Sequence, residues 1–378
     1  MTRQPLNIVA DENIPAIEMF ASLGNITRVP GRNMSAEQLR EADVLLVRSV
    51  TRVDEALLSN SKVQFVGTAT IGIDHLNVDY LNRRGIEWSN APGSNANSVA
   101  EYVLSALCHF HQEGLSALMG KKAGVVGFGN VGKAVAGKLR VLGMQVEAYD
   151  PLQKNTIHHP LYSLERVFDC DVLCIHAPLT RGTNFPSFHM ITASHWQHLR
   201  PRACLISAGR GGVIADSEIA ALRQQRTDVR MAIDVWENEP AINWALARDV
   251  DIATPHIAGY SYDGKVAGTR MIYEALCNHL GIHTPFSPKL FEARETIDVS
   301  GVPSRQQIHH AIQQVYNIEG DSFRFKSIDG NSTRECAQQF DQQRKNYPER
   351  RECSHYQLLG LSGDANVRSQ ALALGFTF

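Results

Sequence analysis

The sequence has no run of about 18 uncharged apolar residues, the length a helix needs to span a bilayer, so no membrane helix is predicted in its 378 residues. Its opening stretch, "MTRQPLNIVADENIP", is too polar for the apolar centre of a signal peptide. An excess of charge of one sign is missing too: 37 Lys and Arg stand against 39 Asp and Glu, a formal net charge of −2. No global basic field draws the chain to nucleic acid or to an anionic membrane, so neither is expected as a partner, and any anion site must be local. The seven cysteines are scattered, none lies in a Cys-x-x-Cys, and the closest pair is Cys170 and Cys174. Such an odd set argues against a disulfide framework and against zinc-ligand spacing, and predicts reduced thiols in a cytoplasmic protein with no structural metal. The pairs His158–His159 and His309–His310 have no partners at metal-ligand spacing.

What is present is alternation. Apolar runs at 6–11, 43–49, 63–69 and 85–90 read as strands, and 14–22, 35–41, 53–59 and 75–84 carry helical spacing between them. Strands apolar on both faces, alternating with helices, predict a parallel sheet covered on both sides. "NAPGSNA" (90–96) breaks the pattern, and 97–112 reads as a long helix behind a Ser or Asn cap. A second series follows, with strands at 123–127, 145–149, 171–175, 203–207, 230–233 and 251–254 and helices at 130–142, 162–168, 192–199, 215–225 and 261–280. After the proline-bearing 283–290 the composition turns to Gln and Arg, and 291–378 predicts strands at 295–300 and 355–361 and helices at 304–316, 334–345 and 364–374. The expected fold is α/β: two doubly wound parallel-sheet lobes, Rossmann or flavodoxin-like, plus a small C-terminal α+β domain. The expected domains are 1–96 with 263–290, 97–262, and 291–378.

"GVVGFGNVGKAVAGKL" (124–139) joins a predicted strand to a predicted helix. Gly127 permits the tight turn, Gly129 lets the backbone approach a pyrophosphate, and Gly132 lets the helix pack on the strand. The helix N-terminal amides then face the phosphates. The next strand ends at Asp150, 18 residues beyond Gly132. A carboxylate there accepts from both ribose hydroxyls and repels a 2′-phosphate, which predicts NAD as the cofactor rather than NADP.

Three further strand ends of the same lobe carry chemistry: Arg210 in "LISAGRGGVIAD", Asp234 and Glu239 in "AIDVWENEP", and His256 in "IATPHIAGYS". Ligands of such folds bind beyond the carboxyl ends of the strands. Oxidising a 2-hydroxy acid removes a hydride from C2 and a proton from its oxygen, and histidine is the usual base near neutral pH. A nearby carboxylate favours the imidazolium, and an arginine grips a substrate carboxylate with two parallel hydrogen bonds. Each residue alone has a plainer explanation: a loop cation, a solvated turn acid, a packing histidine. In this order behind a dinucleotide loop they point to catalysis.

The motifs "GVVGFGNVG", "LISAGRGGVI", "AIDVWENEP" and "TPHIAG" resemble those of the D-isomer-specific 2-hydroxyacid dehydrogenases over roughly residues 60–280. The resemblance implies Arg210, Glu239 and His256 as the catalytic set, with His256 as acid/base and Asp234 near the nicotinamide. It also implies cofactor contacts at Asn130, Val131, Ala177, Ala208, Gly209 and Gly259. Ala177 departs from the Thr often found at its position, as Ser94 departs from Cys. "VRSVTRV", "FVGTATIGIDHL", "TPHIAGYSYDGK" and "RKNYPERRE" extend the resemblance, over nearly the whole chain, to one branch of that family. Members of that branch oxidise a phosphorylated sugar acid and form homodimers through a C-terminal domain. That branch implies substrate contacts at Ser49, Thr70 and Tyr260. The phosphate of such a substrate needs a cation, and "VRSVTR" offers Arg48 and Arg52 beside Ser49. Oxidation of another 2-hydroxy acid, such as 3-phosphoglycerate, and a non-catalytic NAD-sensing repressor remain as alternatives. His189, His195 and His198 are expected to be surface or packing residues.

Overall fold

Val, Ile and Leu dominate the strands, and alternate residues of each strand serve different cores. In β1 (Leu6–Asp11) and β3 (Val44–Val47), Ile8, Val44 and Leu46 enter one apolar cluster, while Val9, Leu45 and Val47 enter another. With β2 (Gly24–Val29), β4 (Phe65–Thr68) and β5 (Glu87–Ser89) they form a sheet of order β2-β1-β3-β4-β5, parallel throughout. A sheet buried on both faces by period-two alternation is what a doubly wound lobe requires. The Tyr262–Leu280 helix covers one face through Ile272 and Leu276.

The structure is a computed structural model that describes residues 4–157, 160–282 and 295–378. The expected break at 283–290 and the His158–His159 pair lie outside the described residues. The chain divides into two compact units, Met1–Asn95 with Ser261–Leu290 and Ala96–Tyr260 with Phe291–Phe378.

The second unit holds β6 (Lys122–Val126), β7 (Gln145–Tyr149), β8 (Val172–Ile175), β9 (Cys204–Ser207), β10 (Arg230–Ile233) and β11 (Ile252–Ala253). Their order is β11-β10-β9-β8-β6-β7. Because β6 lies between β7 and β8, the chain reverses direction across the sheet there. The crevice beyond the carboxyl ends of β6 and β8 is therefore the topological switch point, the place where such sheets bind ligands.

The C-terminal residues form a two-stranded parallel sheet, β12 (Glu295–Asp298) and β13 (Tyr356–Leu359), with helices at Ser304–Val315, Ile318–Lys326, Thr333–Lys345 and Ala365–Leu374. Ile308, Ile312, Leu358 and Leu374 join the cluster that contains Val103, Leu107 and Leu139, while Phe325 and Phe340 join the one that contains Trp236. The buried apolar residues of this region thus share the cores of the six-stranded sheet.

Several elements differ from expectation. Residues 35–41 form successive turns closed by i to i+3 bonds, such as Leu39 N–H to the Ala36 carbonyl at 3.2 Å, because only Leu39 among its neighbours is fully buried. The 14–22 helix is a short 3-10 helix, Ile17–Ser22. The unexpected β2 is an edge strand with little apolar content, and at Gly24 a side chain would strike the Leu6 backbone. The unexpected Ile318–Lys326 helix starts from the Asn317 cap on Gly320 N–H and packs by Ile318 and Phe325; tertiary contact overrides its poor intrinsic propensity. All seven cysteines are buried and none is in a disulfide.

Candidate active site

The glycine loop is shaped by what side chains would hit. Gly127 has φ +88°, donates its N–H to the Tyr149 carbonyl at 2.9 Å, and a Cβ there would strike the Ala177 backbone. At Gly132 a Cβ would strike the Gly127 carbonyl oxygen, so the Asn130–Val141 helix seats directly on the turn. Gly129, the residue before that helix, faces open space: nothing lies within 4 Å of its would-be Cβ. Asn130 is exposed and Val131 half-buried on the first turn behind it. Asp150 accepts from Phe128 N–H at 2.8 Å through Oδ2 and from Leu152 N–H at 3.0 Å through Oδ1. Each oxygen keeps a lone pair, and the half-buried carboxylate holds the loop where it borders the cleft. Gly127, Asp150 and Ala177 border a cleft of about 250 Å³ with apolar walls from Leu152, Leu164, Pro178 and Met190.

Beyond β10 and β11, His256 Nδ1 lies 2.8 Å from Glu239 Oε2, and Glu239 Oε1 accepts from Trp236 N–H at 2.9 Å. Burial raises the Glu239 pKa. The His256 hydrogen bond, the His256 charge, the Trp236 N–H and the Arg344 charge together outweigh it and hold the carboxyl below the usual Glu range. An ionised Glu239 makes Nδ1 the protonated nitrogen and leaves Nε2 as the other face of the ring. His256 has φ +57°, a left-handed backbone that needs support. Asp234 supplies it. Its carbonyl accepts from His256 N–H at 2.8 Å, and its carboxylate accepts from the Thr254 hydroxyl at 2.6 Å, Ile257 N–H at 2.8 Å and Ala258 N–H at 3.0 Å. Asp234 is only 1% exposed, and burial pushes its pKa up against the His256 charge and these donors.

Arg210 is exposed beyond β9 and donates from Nη1 to the Gly209 carbonyl at 2.9 Å, with no bond to Glu239 or His256. Its loop is pressed on theirs: a Cβ at Gly211 would collide with the Trp236 carbonyl, and one at Gly209 would strike the His176–Ala177 backbone. Ala208, just past β9, and Gly259, in the loop after β11, are half-buried. The Tyr260 hydroxyl accepts from Arg344 Nη2 at 3.0 Å. In the first unit, Arg48, Ser49 and Thr70 follow the neighbouring strands β3 and β4, so they emerge at one end of that sheet. The Thr70 hydroxyl donates to the Gly72 carbonyl at 3.1 Å and meets the Thr68 hydroxyl at 2.8 Å. Arg52, 86% exposed, pairs with Asp54 at 2.9 Å. His189 binds Glu237 at 2.6 Å. Among the described residues no three His, Cys, Asp or Glu side chains gather to hold a metal, and no helix is long and apolar enough to cross a membrane.

Residues 105–258 match the model of the D-isomer specific 2-hydroxyacid dehydrogenase NAD binding domain, and 292–374 match a domain of unknown function. The erythronate-4-phosphate dehydrogenase of Cellvibrio japonicus is 45% identical, over 98% of this chain and 99% of that relative. That of Hahella chejuensis is 40% identical over 98% and 99%. The chain belongs to the erythronate-4-phosphate dehydrogenase family. It is an NAD-dependent dehydrogenase of the 2-hydroxyacid class. An NAD⁺-bound 3-phosphoglycerate dehydrogenase of Entamoeba histolytica superposes with a TM-score of 0.60 at 21% identity, covering 73% of this chain and 96% of that one; that likeness concerns the fold.

The loop of this family member fits a dinucleotide by its own geometry: an open Gly129, a helix start behind it, and a half-buried carboxylate lining an apolar cleft. The sequence did not single out the cleft walls, because Leu152, Leu164 and Met190 are ordinary apolar residues with no spacing signal. Nor did it single out Thr254 and Trp236, whose importance is that they tie the His256 loop to Asp234 and to β10; the Trp236 indole N–H donates to the Thr254 carbonyl at 2.9 Å.

Proposed function

We propose that the chain oxidises 4-phospho-D-erythronate to 2-oxo-3-hydroxy-4-phosphobutanoate with NAD⁺, a step of pyridoxal 5′-phosphate synthesis. The observation that carries this reading is the Glu239–His256 pair, held at 2.8 Å on a loop braced by Asp234 at the carboxyl ends of the sheet that bears the glycine turn. His256 takes the proton of the C2 hydroxyl at Nε2, while Glu239 fixes the tautomer and stabilises the imidazolium. NAD⁺, when bound, supplies the hydride acceptor. Gly127, Gly129, Asn130, Val131 and Gly132 cradle its pyrophosphate, Asp150 takes the ribose hydroxyls, and Ala177, Ala208, Gly209, Asp234 and Gly259 border the rest. Arg210 grips the substrate carboxylate. Arg48 and Ser49 bind the phosphate, and Thr70 and Tyr260 bind the carbon chain. Residues 1–96 with 263–290 form the substrate-binding domain, 97–262 the NAD-binding domain, and 291–378 the dimerisation domain of a cytoplasmic homodimer.

Turnover with NAD⁺ of 4-phosphoerythronate, 3-phosphoglycerate, D-lactate and D-glycerate tests the substrate. The first should give the highest kcat/KM by a wide margin. A higher value for 3-phosphoglycerate would replace the substrate. No turnover together with salt-sensitive binding to duplex DNA would favour the repressor.

A further inference from the structure

The segment "RKNYPERRE" (344–352) resembled the branch without a role of its own. In the structure it grips the loop that carries His256. Arg350 is only 7% exposed, and its Nη2 donates to the Ala258 carbonyl at 2.6 Å and to the Ser98 hydroxyl at 2.7 Å. The guanidinium carbon sits 4.3 Å over the ring of Tyr316. Ala258 is therefore held at both backbone groups: its N–H by the Asp234 carboxylate at 3.0 Å and its carbonyl by Arg350. Two residues further on, Arg344 holds the Tyr260 hydroxyl, and the rings of Tyr260 and Tyr347 meet edge-on at 5.9 Å. Tyr347 is fixed in turn by its hydroxyl, which donates to Asp321 Oδ2 at 2.6 Å.

A left-handed backbone at His256 is a conformation that surrounding structure must impose. Asp234 imposes it from inside the sheet. The 344–352 segment restrains the same loop from the other side, at positions two and four residues past His256. A buried cation on a backbone carbonyl is a stronger restraint than a neutral donor, since charge-assisted bonds are shorter and roughly twice as strong.

We infer that Arg350 is a positioning residue of the active site: through the Ala258 carbonyl it sets the backbone that aims His256, so the C-terminal region takes part in catalysis within its own chain. The inference rests on the reading of His256 as the acid/base. A fastener that only ties the C-terminal helices to the sheet would lower thermal stability and leave kcat alone. A positioning residue lowers kcat in protein that remains folded.

The test uses the full chain with Arg350→Lys, Arg350→Met and Arg344→Gln, with His256→Ala alongside, at a temperature where circular dichroism and sedimentation match wild type. Arg350→Met should lose roughly 10–100-fold in kcat, the scale of a slightly misaimed catalytic group, with KM for NAD⁺ within about twofold of wild type. Arg350→Lys, which keeps the charge and one donor to Ala258, should recover part of the loss. Wild-type kcat in folded Arg350→Met overturns the inference, whatever its Tm. If Arg350→Met does not fold, the other two variants decide: a drop in kcat at unchanged KM in both supports the inference, and wild-type kcat in both overturns it. An active His256→Ala would refute the acid/base reading itself and is scored separately.

Discussion

Asp150 is a carboxylate with a structural role and a proposed recognition role. It was singled out for its distance from the glycines, as a partner for ribose hydroxyls. The structure adds that it bonds Phe128 N–H and Leu152 N–H, so it also sets the turn it follows. Asp150→Ala would mix loop collapse with lost recognition. Asp150→Asn separates them in part, because the amide oxygen can still accept from Phe128 N–H, at the cost of the Leu152 N–H bond, while the charge that repels a 2′-phosphate is gone. Asp150→Asn should lower Tm less than Asp150→Ala, bind NAD⁺ more weakly and discriminate less against NADP⁺, as read by titration calorimetry with both cofactors. An unchanged preference would remove Asp150 from cofactor selection.

At the scale of elements, the turn between β6 and the Asn130–Val141 helix separates two uses of glycine. Gly132 exists for packing, since any Cβ there meets the Gly127 carbonyl. Gly129 has open space where a Cβ would stand, which fits the proposed access for the cofactor. Gly132→Ala should destabilise the chain by about 1–3 kcal/mol, the usual range for overpacking, measured by urea denaturation. Gly129→Ala should leave stability near wild type and weaken NAD⁺ binding through steric exclusion. Equal effects of both on stability would contradict this division. The same contrast explains what the sequence made legible. The strand series and the glycine turn were readable because both-face burial and backbone clashes restrict residue type locally. The edge strand β2, the Ile318–Lys326 helix and the grip of Arg350 on Ala258 were not, because each depends on partners distant in the chain.

For the whole molecule, the buried apolar residues of 295–378 lie within cores built by the Ala96–Phe110 and Asn130–Val141 helices and by Trp236. Cutting the chain at 290 would strip Leu107, Leu139 and Trp236 of covering side chains. The truncated chain should therefore be aggregated or far less stable than the full chain by calorimetry, rather than an active monomer. A soluble, active truncated monomer would show that the shared core contributes little. The proposed dimerisation is better tested on the intact chain by sedimentation.

The most direct test of the central claim, that this chain is a dehydrogenase driven by the His256–Glu239 pair, is steady-state turnover of 4-phosphoerythronate with NAD⁺ by wild type and His256→Ala. The account predicts measurable NADH formation by wild type and a kcat lower by roughly 10²–10⁴-fold in the variant, the range for loss of a general acid/base, with an unchanged circular dichroism spectrum. Equal turnover by the two proteins would contradict it.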